Sequence, residues 1–250
     1  MKVNRAIALG VATMVAALCA IGGTALAAFP NFADCPPIAG GGICVDIQSN
    51  SGEMVIKGFH VPLGHSLEIR GGVNETSNSL IPPRGTNGFF AEPVNVPGGL
   101  LGIELPLWLN MVTATPELAG PASSIVIEGF TIRMPLKLHL SNPLIGSSCY
   151  IGSNSHPVNV TLITGTTSPP PPNTPISGHP GTPTFVPPNV FTFTGGLNVD
   201  NSFAIPGASG CGLGLGLING AIDLKLGLPS AAGDNSLSIA NNVGLEQVAG

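Results

Sequence analysis

The chain has 250 residues, and only 8% of them are charged, about a third of the share usual in globular proteins. Eight Lys and Arg stand against thirteen Asp and Glu. This acidic, weakly charged balance argues against a polyanion-binding surface, so no nucleic-acid partner is expected. Val, Ile and Leu occur in short runs throughout, which argues against disorder and for a packed core.

In chain order, Lys2 and Arg5 precede an uncharged, largely apolar run from Ala6 to Ile21, and a small-x-small site follows at Ala25-Leu26-Ala27. That order predicts a secretory signal peptide over 1–27, with the mature chain starting at Ala28 or Phe29. The run is short for a spanning helix and no second one follows, so the mature chain is expected outside the cytoplasm without a transmembrane segment. Loss of Lys2 and Arg5 leaves six basic against thirteen acidic residues, a formal charge of −7. Lipidation at Cys19 is disfavoured because Leu18, not a small residue, precedes it. The mature chain keeps Cys35, Cys44, Cys149 and Cys211. An even number in an exported chain predicts two disulfides, with three connectivities open. A Cys35–Cys44 pair would close a small Pro/Gly-rich loop, and Cys149–Cys211 would then close a long one. A four-thiolate zinc site would call for C-x2-C spacing that these cysteines lack.

A lead-in loop from Phe29 to Gly42 precedes a first strand, Ile43 to Ile47. Two strands, Glu53 to Val61 and Ser66 to Arg70, flank a Pro62-Leu63-Gly64 turn. Gly71 to Gly88, rich in Asn, Ser, Gly and Pro, is expected as loop, and Phe89 to Asn95 as an edge strand because it contains Pro93. Val96-Pro97-Gly98 reads as a turn. Leu100 to Leu109 is ambiguous between strand and short helix. Met111 to Leu118 alternates as a strand, and Ser124 to Arg133 with Leu136 to Leu140 forms another pair. Val158 to Thr164 and Val190 to Thr194 alternate cleanly. Thr166 to Asn189 contains Pro169-Pro170-Pro171-Pro172 and five further prolines, and is expected as a stiff, extended, exposed loop. After Cys211, Gly212 to Leu217 alternates Gly and Leu as a strand would. Ile218 to Leu226 is a short helix candidate ended by Gly227 and Pro229, and Ser236 to Ala240 is a closing strand. Short β-branched runs between Gly and Pro signals predict an all-β fold, a two-sheet β-sandwich over 28–250 as a single domain. One internal echo supports it: Val55-Ile56-Lys57-Gly58-Phe59 matches Val126-Ile127-Glu128-Gly129-Phe130, with Val61 against Ile132 and Leu63 against Met134. It reads as a repeated strand-turn-strand unit, one per sheet.

Catalytic equipment is sparse. Gly207-Ala208-Ser209-Gly210-Cys211 departs from a nucleophile elbow in its last position, and Gly212, Gly214 and Gly216 do not have nucleotide-loop spacing. His60 and His65 flank the Pro62 turn, His139 lies on the matching second unit, and Glu68 is a third candidate ligand, but no pattern enforces a metal site. His156 and His179 sit in loops beside prolines. Glu53, Glu68, Glu92, Glu104, Glu117 and Glu128 form no recognisable acid/base pair, and Asp200 and Asp223 lie near turns. Trp108 and Tyr150 are the chain's one Trp and one Tyr, too few for a sugar-binding platform. Trp108, within Leu105-Pro106-Leu107-Trp108-Leu109, reads as core.

Several stretches are distinctive: Leu140 to Gly152, Thr164 to Asn173, Val199 to Gly212, Val96 to Gly102 and Val112 to Gly120. Together they resemble a family of exported actinobacterial proteins of no assigned function, across most of the mature chain. The resemblance implies a secreted Gram-positive protein and a Cys149–Cys211 pairing, and it carries over no catalytic residue. In a bacterial host the sequons at Asn74 and Asn159 are silent.

The expected role is non-enzymatic: a secreted or cell-wall-associated structural or binding protein, using no cofactor. Its expected partner is a cell-wall polymer or another envelope protein, met through neutral loops such as Gly71 to Gly88 and Thr166 to Asn189. Two alternatives stand beside it. A cleft gathering Glu68, His60 and His139 would mark an envelope-polymer hydrolase. An exposed apolar patch involving Leu213, Leu215 and Leu217 would mark a self-assembling coat protein.

Overall fold

The computed structural model describes residues 29–100, 107–122, 124–127, 129–212 and 216–249. The signal peptide expected over 1–27 lies outside them. The first strand, β1 (Gly42–Ile56), turns back at Lys57-Gly58 into β2 (Phe59–Pro62). Both turn residues have positive φ, the geometry a two-residue hairpin needs to match strand twist. β3 (Leu67–Asn74) then pairs with β4 (Ser79–Ile81) and β5 (Phe89–Ala91). β6 (Val94–Asn95), β7 (Thr113–Leu118), β8 (Ser124–Val126), β9 (Thr131–Ser141), β10 (Cys149–Ile151) and β11 (Val158–Leu162) follow. β12 (Thr182–Val186), β13 (Val190–Asp200), β14 (Ala208–Ser209), the helix α1 (Leu217–Leu226) and β15 (Asn235–Val248) complete the described elements.

These strands form two antiparallel sheets packed face to face. One runs β12-β13-β15-β1-β3-β4, with β2 on β1 and β5 on β3. The other runs β14-β10-β9-β7-β6, with β8 and β11 on β9. The first and last strands are thus central neighbours, paired from Gly42↔Val248 to Ile56↔Asn235. Inward-facing residues of both sheets share one hydrophobic core. The sheets meet along one edge, where Ile163 bridges Val199 and the Thr161 N–H donates to the Asp200 carboxylate at 2.6 Å. Burial holds that carboxyl above its usual pKa, and backbone N–H donors, Thr161 first, oppose the shift.

Both disulfides are formed, Cys35–Cys44 and Cys149–Cys211. The first straps the 29–41 segment over the outer face of the first sheet. Glycines make room for it there: a Cβ on Gly244 would lie 2.5 Å from Pro30 Cβ, and one on Gly72 would lie 2.8 Å from Ile38. The covered face carries Asp46, Glu68 and Arg70, so β1 is buried on both sides where the sequence suggests one.

Several expected elements differ. The expected strand 53–61 is split by the Lys57-Gly58 turn into β1 and β2, and its first part, 53–56, joins 43–47 in one strand, because Asn50 is a bulge between Ser49↔Asn241 and Ser51↔Ala240. The bulge changes the phase: Ile43, Val45 and Ile47 face the core before it, Met54 and Ile56 after it. This phase break is what divides the run in the sequence. The loop expected over 71–88 carries strand at 71–74 and 79–81, the end of β3 and all of β4, and is loop from 82 to 88. β9 runs through Pro135 without a break. The Pro135 carbonyl accepts from Ala119 N at 2.9 Å, so its nitrogen faces the gap between β7 and β8, where no ladder donor is required. The proline-rich stretch is no free spacer: Asn173 donates to the Asn201 and Asn235 carbonyls at 2.9 and 2.7 Å, and β12 forms the sheet edge from its second half. The echo is two hairpins, one in each sheet. Val61, Leu63, Ile132 and Met134 are all buried, although the β1–β2 turn has two residues and the β8–β9 turn spans 127–130. Gly212 to Leu217 as a strand falls largely outside the described residues, as do 101–106.

Candidate ligand-binding cavity

A cavity of about 120 Å³ lies between the sheets. Its walls follow from period-two alternation. β9 turns Ile132, Met134, Leu136, Leu138 and Leu140 inward, and the last four line the cavity. The β1–β2 hairpin supplies Met54, Ile56 and Val61 from the facing sheet. The space persists because β7 is thin here: Ala114 and Pro116 stand beside Leu140 and Leu138 in register, a methyl and a ring where a long side chain would fill the gap. An empty apolar space costs about 24 cal/mol per Å³, so this one costs roughly 3 kcal/mol unless it is occupied.

Helix α1 covers one side. Ile218, Ala221, Ile222, Lys225 and Leu226 line the cavity, an i, i+3, i+4, i+7, i+8 stripe. Leu217 and Leu224 point away and are exposed, Leu224 by 87%. Gly227 ends the helix in the left-handed region at φ 68°, where glycine is favoured. The helix is anchored from outside: the Asp223 carboxylate accepts from Ala208 N at 2.7 Å, and the Asn219 side-chain oxygen accepts from Cys211 N at 2.9 Å. The Cys149–Cys211 disulfide therefore fastens the approach to α1 onto β10. Lys225 is the one charged residue lining the cavity among the described residues. Its stem lies along the apolar wall. Its ammonium donates to the Gly99 carbonyl on the facing turn and sits 5.7 Å from the Phe59 ring centre.

The histidines and Glu68 are not brought together. His60 is exposed, with Nδ1 2.9 Å from Glu53 Oε1. His65 is exposed on its turn. His139 stacks on its cross-strand neighbour Tyr150 at 4.7 Å, on the outer face of the other sheet, where Glu117 lies between it and Lys137. His156 and His179 are exposed in loops. Glu104 and Glu128 lie outside the described residues. Among the described residues, no group of three or more His, Cys, Asp or Glu is placed to hold a metal ion.

The sequence reading missed a buried polar cluster under the strapped segment. Asp46 Oδ2 accepts from Asn31 N at 2.7 Å and from Gln48 Nε2 at 3.2 Å. Glu68, 4% exposed, lies 2.9 Å from Arg70 Nε, and Arg70 reaches Asp34 at 3.4 Å. Burial pushes the Asp46 carboxyl up to about 6, against the opposing Asn31 hydrogen bond and with help from the Glu68 charge. The only local signal is the alternation Asp46-Ile47-Gln48 and Glu68-Ile69-Arg70, which ordinarily marks a solvated face.

Trp108 also differs from expectation. It is 67% exposed, on a turn beyond the end of the sheet that is held by Asn142, which donates to the Leu109 and Met111 carbonyls at 2.9 and 2.8 Å. Leu107, Met111 and Leu144 are exposed near it. Of the apolar patch expected at Leu213, Leu215 and Leu217, the first two lie outside the described residues and Leu217 is exposed. Among the described residues no helix is long and apolar enough to cross a membrane. In comparisons with known proteins, the chain matches no family model, no curated protein and no solved structure.

Proposed function

We propose that this chain is an exported, non-catalytic binding protein that holds an aliphatic ligand between its two sheets, either free or retained at the cell wall. The cavity carries this reading. Among the described residues its lining is aliphatic and aromatic apart from Lys225 and backbone, with no nucleophilic or carboxylate side chain. Its volume is of the order of an engineered apolar cavity that takes up benzene, so it accommodates a compact apolar group or the end of a chain. Export is supported by the leader pattern and by two formed disulfides, which persist in oxidising compartments.

Thermal unfolding of the oxidised mature protein with decanol tests the cavity. At about 100 times Kd a ligand adds roughly 2.7 kcal/mol of stability, which raises Tm by about 5–10 °C for a domain of this size. The Ala114→Leu variant fills the space with three more carbons, worth about 2 kcal/mol when buried. It should melt higher than wild type by roughly 4–8 °C and gain nothing from decanol. A wild type indifferent to decanol, or an Ala114→Leu variant that binds it as well as wild type, would remove the cavity from consideration. Retention at the wall is a separate question. Co-sedimentation with purified walls over a salt series answers it: saturable, salt-resistant binding supports wall association, and its absence leaves a freely secreted carrier.

A further inference from the structure

We infer that the end of the sandwich beside the cavity docks on an uncharged lipid surface, with Trp108 and its apolar neighbours seated among the acyl chains. This rests on the cavity reading above and adds a partner, the surface in which an aliphatic ligand resides.

An aliphatic ligand leaves water for lipid, so a protein that binds one gains by meeting the lipid directly. Six of the ten exposed large apolar side chains among the described residues lie together: Leu107, Trp108, Leu109, Met111, Leu144 and Leu217. They come from three segments held to one another. Asn142 joins the first two: its amide donates to the Leu109 and Met111 carbonyls, and its side-chain oxygen accepts from Leu144 N. Gly212 N donates to the Ile145 carbonyl at 2.6 Å, and a Cβ on Gly212 would lie 2.6 Å from Ile218, which brings the start of α1 to the same end. The patch adjoins the cavity. Met111, Leu144 and Leu217 are each followed in the chain by a cavity-lining residue, Val112, Ile145 and Ile218. The Asn110 carbonyl accepts from N of Leu100, on the cavity wall, at 2.7 Å.

The patch has the properties that hydrocarbon demands. The stretches 107–112, 142–148 and 216–222 contain no charged residue. Its turns bond their backbone internally: besides the Asn142 contacts, the Leu107 carbonyl accepts from Asn110 N and Met111 N at 2.8 and 3.2 Å, and Ile145 N donates to the Asn142 carbonyl at 3.2 Å. Backbone groups that enter hydrocarbon must be satisfied in this way, whereas a turn facing water has no such need. The exposed indole of Trp108 suits the lipid–water boundary. The side chains come from turns and a helix end, not from a strand edge that could pair with a peptide. Six basic against thirteen acidic residues after the expected leader give no pull towards anionic lipid, so the surface is an uncharged one.

Trp108 is the chain's one Trp, so its fluorescence reports on the patch alone. The experiment mixes the oxidised mature protein with phosphatidylcholine vesicles and reads binding by flotation and by Trp108 emission. Wild type should float with the vesicles equally at low and high salt. Its emission should move to the blue, and lipids brominated on the acyl chain should quench it. Leu144→Glu and Met111→Glu should each bind about tenfold more weakly or worse, since a charge must then enter the acyl layer. Phe185→Glu makes the same change at an exposed position on β12, an edge of the first sheet, and should bind as wild type does. Ala114→Leu, with its cavity filled, should also dock as wild type does, so docking and cavity are read separately. A wild type that stays in the aqueous phase overturns the inference and leaves the cavity reading, which decanol tests in solution, intact. So does binding that Leu144→Glu and Met111→Glu leave unchanged, or binding confined to vesicles rich in anionic lipid. Emission already blue and shielded from acrylamide without vesicles would overturn it as well, because Trp108 would then lie under another segment or a second copy of the chain.

Discussion

Single residues on the covered face of the first sheet carry more consequence than their sequence neighbours suggest. Asp46 is fully buried and its carboxyl is pushed up to about 6 from 3.8. Between those values the folded state holds a proton that the unfolded state has lost, so this group stabilises the fold at low pH and loses that contribution as pH rises through about 6. Asp46→Asn keeps an acceptor for Asn31 N and removes the titration. The stability of wild type relative to this variant should therefore fall by on the order of 3 kcal/mol between pH 4 and pH 7. Urea unfolding of both proteins across that range checks it, and parallel pH profiles would refute it. Gly244 on the same face has no space for a side chain, since a Cβ would lie 2.5 Å from Pro30 Cβ. Gly244→Ala should cost about 1–3 kcal/mol through overpacking. The loss should shrink when residues 29–34 are also removed, because that deletion takes away the clashing ring.

At the scale of the element, the β1 bulge makes an unusual prediction. Asn50 is the extra residue opposite Asn241 and Ala240. Deleting it gives a regular strand in which Ile43, Val45, Ile47, Met54 and Ile56 all still face inward. The deletion should leave the protein folded, at the cost of the paired side-chain hydrogen bonds between Asn50 and Asn242 at 3.1 and 3.3 Å. Inserting one Ala after Gly52 instead rotates Met54 and Ile56 to the outer face. Displacing two buried side chains costs roughly 2–5 kcal/mol each, enough to unfold an ordinary domain. Circular dichroism and denaturant titration of the two variants distinguish the outcomes, and a folded insertion variant would show that register is set elsewhere.

For the whole molecule, β1 and β15 are central neighbours, so the first sheet cannot be completed until the last strand joins. The Cys149–Cys211 bridge closes a separation of 62 residues and the Cys35–Cys44 bridge one of 9. On loop entropy the longer closure contributes more, roughly 4 kcal/mol against roughly 3. Serine pairs at each bridge should rank in that order in denaturant unfolding. The Cys149→Ser/Cys211→Ser protein should also bind decanol more weakly, because the approach to α1 is no longer tied to β10. The Cys35→Ser/Cys44→Ser protein should bind it as wild type does, since its strap lies on the other side of the sheet.

Much of this architecture is legible in the chain by itself. Period-two runs such as Val158-Asn159-Val160-Thr161-Leu162 determine strands, because alternate side chains must leave opposite faces of a pleated backbone. The apolar spacing from Ile218 to Leu226, with glycine after it, determines α1 and its end. The four cysteines after the expected leader point to two bridges and leave their connectivity open. The tertiary structure decides what alternation leaves unspecified. A period of two separates two faces without stating which one is covered, so Asp46 and Glu68 read as solvent-facing until the 29–41 segment is laid over them. Neither the pairing of β1 with β15, the passage of β9 through Pro135, nor the exposure of Trp108 has a local signal, because each depends on which strands become neighbours. The cavity is the clearest case. Its walls come from residues as far apart in the chain as Met54 and Ile239, and the space exists because Ala114 stands where the two inner faces require more volume than the chain provides.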